Sequence, residues 1–171
     1  PKTSAPPVHA VSPVLTAAAR LCTDFGCVGS LDDLSGLLAR GADAMDATGL
    51  VVWLGSAAGA DLQPVLAHGY GQQALARMPP VARAADNAAA AAYRTGELQI
   101  VPSRPGSSAG AIVAPILSAD GCIGALSAEI RRGREGSESV QAFAAIFAAQ
   151  LAGILVTPTT ETATAAQHKT A

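Results

Sequence analysis

Residues 109–132 read AGAIVAPILSADGCIGALSAEIRR, and the fold turns on how that stretch bends. Two apolar runs, Ala111–Leu117 and Cys122–Ile130, are separated by Ser118-Ala119-Asp120-Gly121. Asp-Gly between apolar runs is a strong hairpin signal, because glycine takes the positive φ that a tight reversal demands. Each run has the length of an ordinary strand, so the stretch predicts an antiparallel pair that scaffolds a sheet. Pro115 has no N–H to give a ladder, which puts its strand at an edge or leaves that position unpaired. Gly124 marks a bulge, or a spot where another group rests on bare backbone.

On the N-terminal side, residues 1–11 are Pro-rich and polar and read as a tail or linker. Ser12-Pro13 begins a helix, with Val14, Leu15, Ala18, Leu21, Cys22 and Phe25 on one face, and Gly26 and Gly29 stop it. Ser30 with Asp32 and Asp33 opens a second helix, whose apolar face is Leu34, Leu37, Leu38, Ala42 and Met45 and whose stop is Gly49. Leu50–Leu54 is continuously apolar, the pattern of a central strand covered on both faces. Leu62–Tyr70 is a second strand with its pairing disturbed at Pro64. The middle is irregular: a short helix in 71–83 broken by Pro79-Pro80, an Ala-rich helix over Ala84–Thr95, and a short strand Leu98–Val101. On the C-terminal side, Ser137–Val156 reads as a long helix with Val140, Phe143, Phe147, Leu151 and Ile154 on one stripe. Residues 157–171 are Thr-rich and read as a disordered tail or linker.

Bulk properties bound the function. The 171 residues suffice for one domain with a real core, placed here at 12–156. Half the residues are hydrophobic, 14% are charged and the net charge is −2, which gives no drive towards nucleic acid. Three cysteines without a C-x-x-C spacing argue against a zinc or disulfide framework, and for reduced thiols in the cytoplasm. The chain opens on Pro1 with no signal peptide, so it is read as a piece of a longer protein. Val140–Val156 carries no charge, yet it is short for a membrane span, holds Gln141 and Gln150, and lacks basic or aromatic flanks. The expectation is a buried helix or one in a dimer interface.

The order helix, helix, strand, strand, interrupted helices, then three strands and a helix implies an α+β fold, an antiparallel sheet with helices on its faces. At this point the chain resembles a GAF domain, the small-molecule sensory module of signalling proteins, over about residues 12–156. The phrases that carry the resemblance are Ala47–Leu54, His68-Gly69-Tyr70, Tyr93–Glu97, Ala111–Ile116, Gly124–Glu129 and Phe143–Ala148, in that order. The resemblance implies a five- or six-stranded GAF-like sheet of the PAS and profilin type. Terminal helices would pack on one face, often making a dimer, and a ligand cavity would lie on the other under the irregular middle segment. Relatives bind cyclic nucleotides, tetrapyrroles, haem or small metabolites, some reduce free methionine sulfoxide, and many show no ligand.

The candidate residues follow. Trp53, Tyr70, Met78 and Tyr93 are half of the aromatic and methionine residues in an Ala-rich chain, and suit a mostly apolar cavity. Trp53 is read equally as a cavity wall and as a core filler. His68, at a strand end, offers a ligand hydrogen bond, against the plainer role of a histidine satisfied by backbone or water. Ser107 and Ser108 offer hydroxyls from the loop entering the hairpin, and Ile112 and Ala114 complete the expected wall. Cys122 is a candidate thiol, but no basic residue flanks it in sequence. The Asp86-Asn87 pair lacks the following Lys, Phe and acids of cyclic-nucleotide binders, and no cysteine stands beside a histidine for tetrapyrrole attachment. Arg131, Arg132 and Arg134 read as a solvated strand end balanced by Glu129, Glu135 and Glu138. The dimer is expected through Leu15, Val140, Phe143, Phe147, Leu151 and Ile154. The resulting expectation is a sensory domain without chemistry of its own. It would bind an unidentified small effector, with no cofactor named by the sequence, and signal to an output domain elsewhere in its parent. A ligand-free dimerisation module and a thiol-dependent methionine sulfoxide reductase are the alternatives.

Overall fold

The computed structural model describes residues 12–106 and 109–156. Helices α1 (Pro13–Phe25) and α2 (Leu31–Met45) come first, followed by strands β1 (Ala47–Gly55) and β2 (Asp61–His68). The middle holds α3 (Gln72–Ala76), β3 (Val81–Ala82), α4 (Ala88–Thr95) and β4 (Gln99–Val101). Strands β5 (Ala109–Ser118) and β6 (Gly121–Arg131) then lead through a 3-10 turn (Arg134–Gly136) into α5 (Glu138–Leu155). The six strands form one sheet in the order β3-β2-β1-β6-β5-β4, every pair antiparallel.

The β5–β6 pair is the predicted hairpin. Ser118 faces Gly121 across the turn, and Gly121 alone in the reversal has a positive φ, 120°. Ser118 Oγ helps fix it, accepting from Asp120 N and donating to Gly121 O, each at 3.2 Å. β5 is not an edge strand, because β4 pairs with it from Ala111 to Val113; Pro115 lies just past that ladder and faces Ala125 of β6 on its other side. The register shifts beside Gly124, and a Cβ there would lie 2.1 Å from Trp53 O, so both readings of that glycine hold. A second shift between Val52 and Trp53 falls opposite Pro64.

The first two helices start where their sequence signals put them. Pro13 occupies the first turn of α1. Ser30 caps α2, its Oγ accepting from Asp33 N while Asp33 Oδ2 accepts from Gly29 N at 3.1 Å. The stop of α2 differs from expectation. Asp46, not Gly49, takes the left-handed cap at φ 54°, and Gly49 lies inside β1. Leu50–Trp53 are buried on both faces, as a central strand requires.

Alternation along the strands divides the core in two. Leu50, Val52, Ile112, Ala114, Ile116, Leu126, Ala128 and Ile130 face α1, α2 and α5 in the main cluster. Phe147 anchors it, edge-on to Phe25 at 5.2 Å and stacked with Phe143 at 6.1 Å. By length and composition α5 qualifies as a membrane span. Its Val140, Phe143, Phe147 and Leu151, however, are spent on this cluster. They are therefore core residues and not a free dimer face, which corrects the expectation for those four. Leu15 is 57% exposed, Ile146 is 37% exposed and Ile154 is half-buried.

Candidate functional site

The other face of the sheet carries a second cluster: Val51, Trp53, Leu62 and Tyr93 are buried, with Tyr70, Met78, Val81 and Cys122 packed against them. β1 supplies Trp53 because its odd-numbered residues point away from the terminal helices. α4 supplies Tyr93 and lies over β5 and β6, where Ala92 meets Val113 and Ala125. The alanines of α4 let it sit low on the strands. Asn87 starts that helix, its Oδ1 accepting from Ala90 N at 2.9 Å. Asn87 thus has a capping role, and the helix begins four residues later than its Ala-rich run suggests.

Polar groups fix the cluster at a few points. Trp53 Nε1 donates to Ser127 Oγ at 3.1 Å, on the strand next door. Arg83 lies 4.9 Å above the Tyr93 ring, a cation–π contact worth about 0.5–2 kcal/mol. Arg94 holds the Arg83 segment, donating from one guanidinium nitrogen to the carbonyls of Arg83 (2.5 Å) and Ala85 (2.9 Å). Tyr70 rests on the bare backbone of Gly49, where a Cβ would come within 2.6 Å of its ring. Burial, then the Glu129 carboxylate to which it donates, push the Tyr70 hydroxyl well above its ordinary range. Thr48 Oγ1 donates to the same carboxylate at 3.2 Å.

Burial likewise raises the Cys122 thiol, opposed more weakly by neighbouring backbone groups and the charge of Arg83. Its Sγ lies 3.2 Å from Gly124 O. Cys22 lines a crevice between α1 and α5, on the opposite side of the sheet, and Cys27 is exposed beyond the end of α1. Among the described residues no group of His, Cys, Asp and Glu is placed to hold a metal ion.

Of the sequence-predicted residues, the structure brings together Trp53, Tyr70, Met78 and Tyr93. Ile112 and Ala114 point to the opposite side, into the helix-covered cluster, and so do not line this site. His68 is in register with Leu50, and directly paired residues share a face, so it belongs with the helices as well. Ser107 and Ser108 lie outside the described residues. The sequence reading missed Ser127, which is in register with both Val51 and Val113 at the middle of the sheet. Its signal was a lone hydroxyl inside the apolar run Ala125–Ala128. Arg83 was missed because its target ring is ten residues away.

Comparison with curated proteins finds no match. Among solved structures, the GAF domain of an Acinetobacter phosphoenolpyruvate-protein phosphotransferase superposes with a TM-score of 0.70 at 16% identity, covering 85% of this chain and 94% of that one. The corresponding domain from Coxiella burnetii gives 0.71 at 13% identity, covering 83% and 92%. The free methionine-R-sulfoxide reductase of Neisseria meningitidis, solved with its substrate, gives 0.66 at 15% identity, covering 87% and 93%. At such identities these likenesses speak to the fold alone, an α+β sheet curled under helices. The sequence profile of the GAF domain family, in turn, matches residues 32–155. With the profile covering most of the chain, the protein belongs to the GAF domain family.

Proposed function

We propose that this domain is a cytoplasmic regulatory module that takes a small, mostly apolar or aromatic effector on the α4 face of its sheet. Binding there would be relayed through the terminal helices to an output domain in the parent protein. The observation that carries this reading is the aromatic cluster around Trp53. It gathers Trp53, Tyr70, Met78 and Tyr93 on the face that the terminal helices leave free, and ties the indole to Ser127. Apolar walls with few fixed polar points are the make-up of a small-molecule site. Trp53 is the only tryptophan in the chain, so its fluorescence reports on this face alone. Native mass spectrometry of protein purified from its source is expected to show a retained small mass, whose release shifts the Trp53 emission. Bare protein with unchanged emission across a metabolite extract would remove the effector.

The domain is read as a sensor and not a catalyst. A thiol reductase needs a thiolate and a resolving partner. Here burial disfavours the Cys122 thiolate, and Cys22 lies across the sheet. Free methionine sulfoxide is therefore expected to persist with this protein and a reductant; turnover lost in Cys122→Ser would reverse the assignment. One observation favours a homodimer as well. Exposed Leu15 and Ile146 flank an apolar groove of about 140 Å³ between α1 and α5.

A further inference from the structure

Glu135 is the one charged side chain buried among the described residues, 6% exposed, and it lies outside the aromatic site. The sequence reading placed it in solvent; the 3-10 turn instead folds it inward. Its Oε1 accepts from Ser103 N at 2.8 Å, in the connection that follows β4. Its backbone carbonyl accepts from Gln141 Nε2 at 2.9 Å, in the first turn of α5. Its Oε2 is buried with no hydrogen-bond partner among the described residues. The carboxylate is seated against β5 at Gly110, where a Cβ would lie 2.4 Å from Glu135 Cδ and 2.7 Å from Val101 O. A buried carboxylate with one oxygen unsatisfied is a costly way to close a surface turn. The Ser103 N–H holds that charge, so the side chain ties the turn to the segment after β4 as well as closing it.

We propose that Glu135 is a latch that makes the segment around Ser103, just after β4, and the start of α5 move as one body. That segment is the covalent continuation of the site's roof: α4, which carries Tyr93, passes through Gly96 into β4, and β4 ends two residues before Ser103. A shift of α4 is thereby delivered to the terminal helix through a side chain on one side and a backbone carbonyl on the other. The purpose of the latch rests on the sensory reading above; its test does not, since it needs no effector.

The test is amide hydrogen exchange on the full chain, comparing wild type with Gln141→Leu, which cuts only the α5 side. Exchange of the Ser103 amide is expected to rise roughly three- to tenfold, the worth of one net hydrogen bond, while the amides of Val52 and Leu126 in the sheet centre keep their protection. In a Glu135→Ala background the same cut should add nothing further at Ser103. Glu135→Gln, which keeps an acceptor oxygen, should preserve the response. An unchanged Ser103 amide in Gln141→Leu, or an increase shared equally by Val52 and Leu126, would overturn the latch. Gln141→Met serves if the leucine variant does not fold. A retained small mass with no such response would spare the sensor and remove only the latch.

Discussion

Ser127 is the residue on which the orientation of Trp53 depends. An indole N–H buried without an acceptor costs about 1–3 kcal/mol, so Ser127→Ala is expected to lower stability by that order, measured by urea unfolding. Ser127→Thr, which keeps the hydroxyl, should recover most of it. Glu135 gives a prediction in pH. The Ser103 backbone N–H is the main cause holding its carboxyl below the ordinary glutamate value. The folded-state pKa is therefore the lower one. The stabilisation is present above the unfolded value near ~4.3 and is lost as pH falls through the folded value beneath it. Urea midpoints of wild type should fall more steeply on acidification below about pH 4.5 than those of Glu135→Gln.

At the scale of elements, Phe147 separates two roles that its helical stripe left open. With its ring between Phe25 and Phe143, Phe147→Ala should cost about 3–5 kcal/mol, seen in the denaturation midpoint. Phe147→Glu should abolish folding instead of dissociating a folded dimer, as circular dichroism would show. What the sequence made legible follows the range of each signal. The Asp120-Gly121 hairpin and the Ser30 cap are local, and both were read correctly. The end of α2 was misplaced because Asp46 adopts a left-handed φ that glycine usually takes, while Gly49 makes room for Tyr70. β3 has two residues, too few to show a period. Period-two alternation says that Ile112 and Val113 part company, but not which of them meets α5. That choice is made by the sheet order, so Ile112 and Ala114 were assigned to the wrong side while Val113 and Ser127 went unnoticed.

For the molecule as a whole, the two sides of the sheet are unequal. One is sealed by three helices; the other is covered by short pieces that the Arg83 and Arg94 contacts hold in place. If the groove beside Leu15 and Ile146 meets a second copy, Leu15→Glu or Ile146→Glu should leave the fold intact and shift sedimentation towards a monomer. A wild-type monomer at high concentration would refute the pairing.

The seam at the centre of the sheet has a temporal consequence. β1 meets β6 only through contacts such as Thr48 with Glu129, 81 residues apart along the chain. During synthesis the β1–β2 hairpin must wait, with one flank of Val51 and Val52 unpaired, until β6 has emerged. Closing so long a loop is slow, and an open strand flank is a template for wrong pairing. The last strand made is thus the one that commits the nascent chain to its native shape.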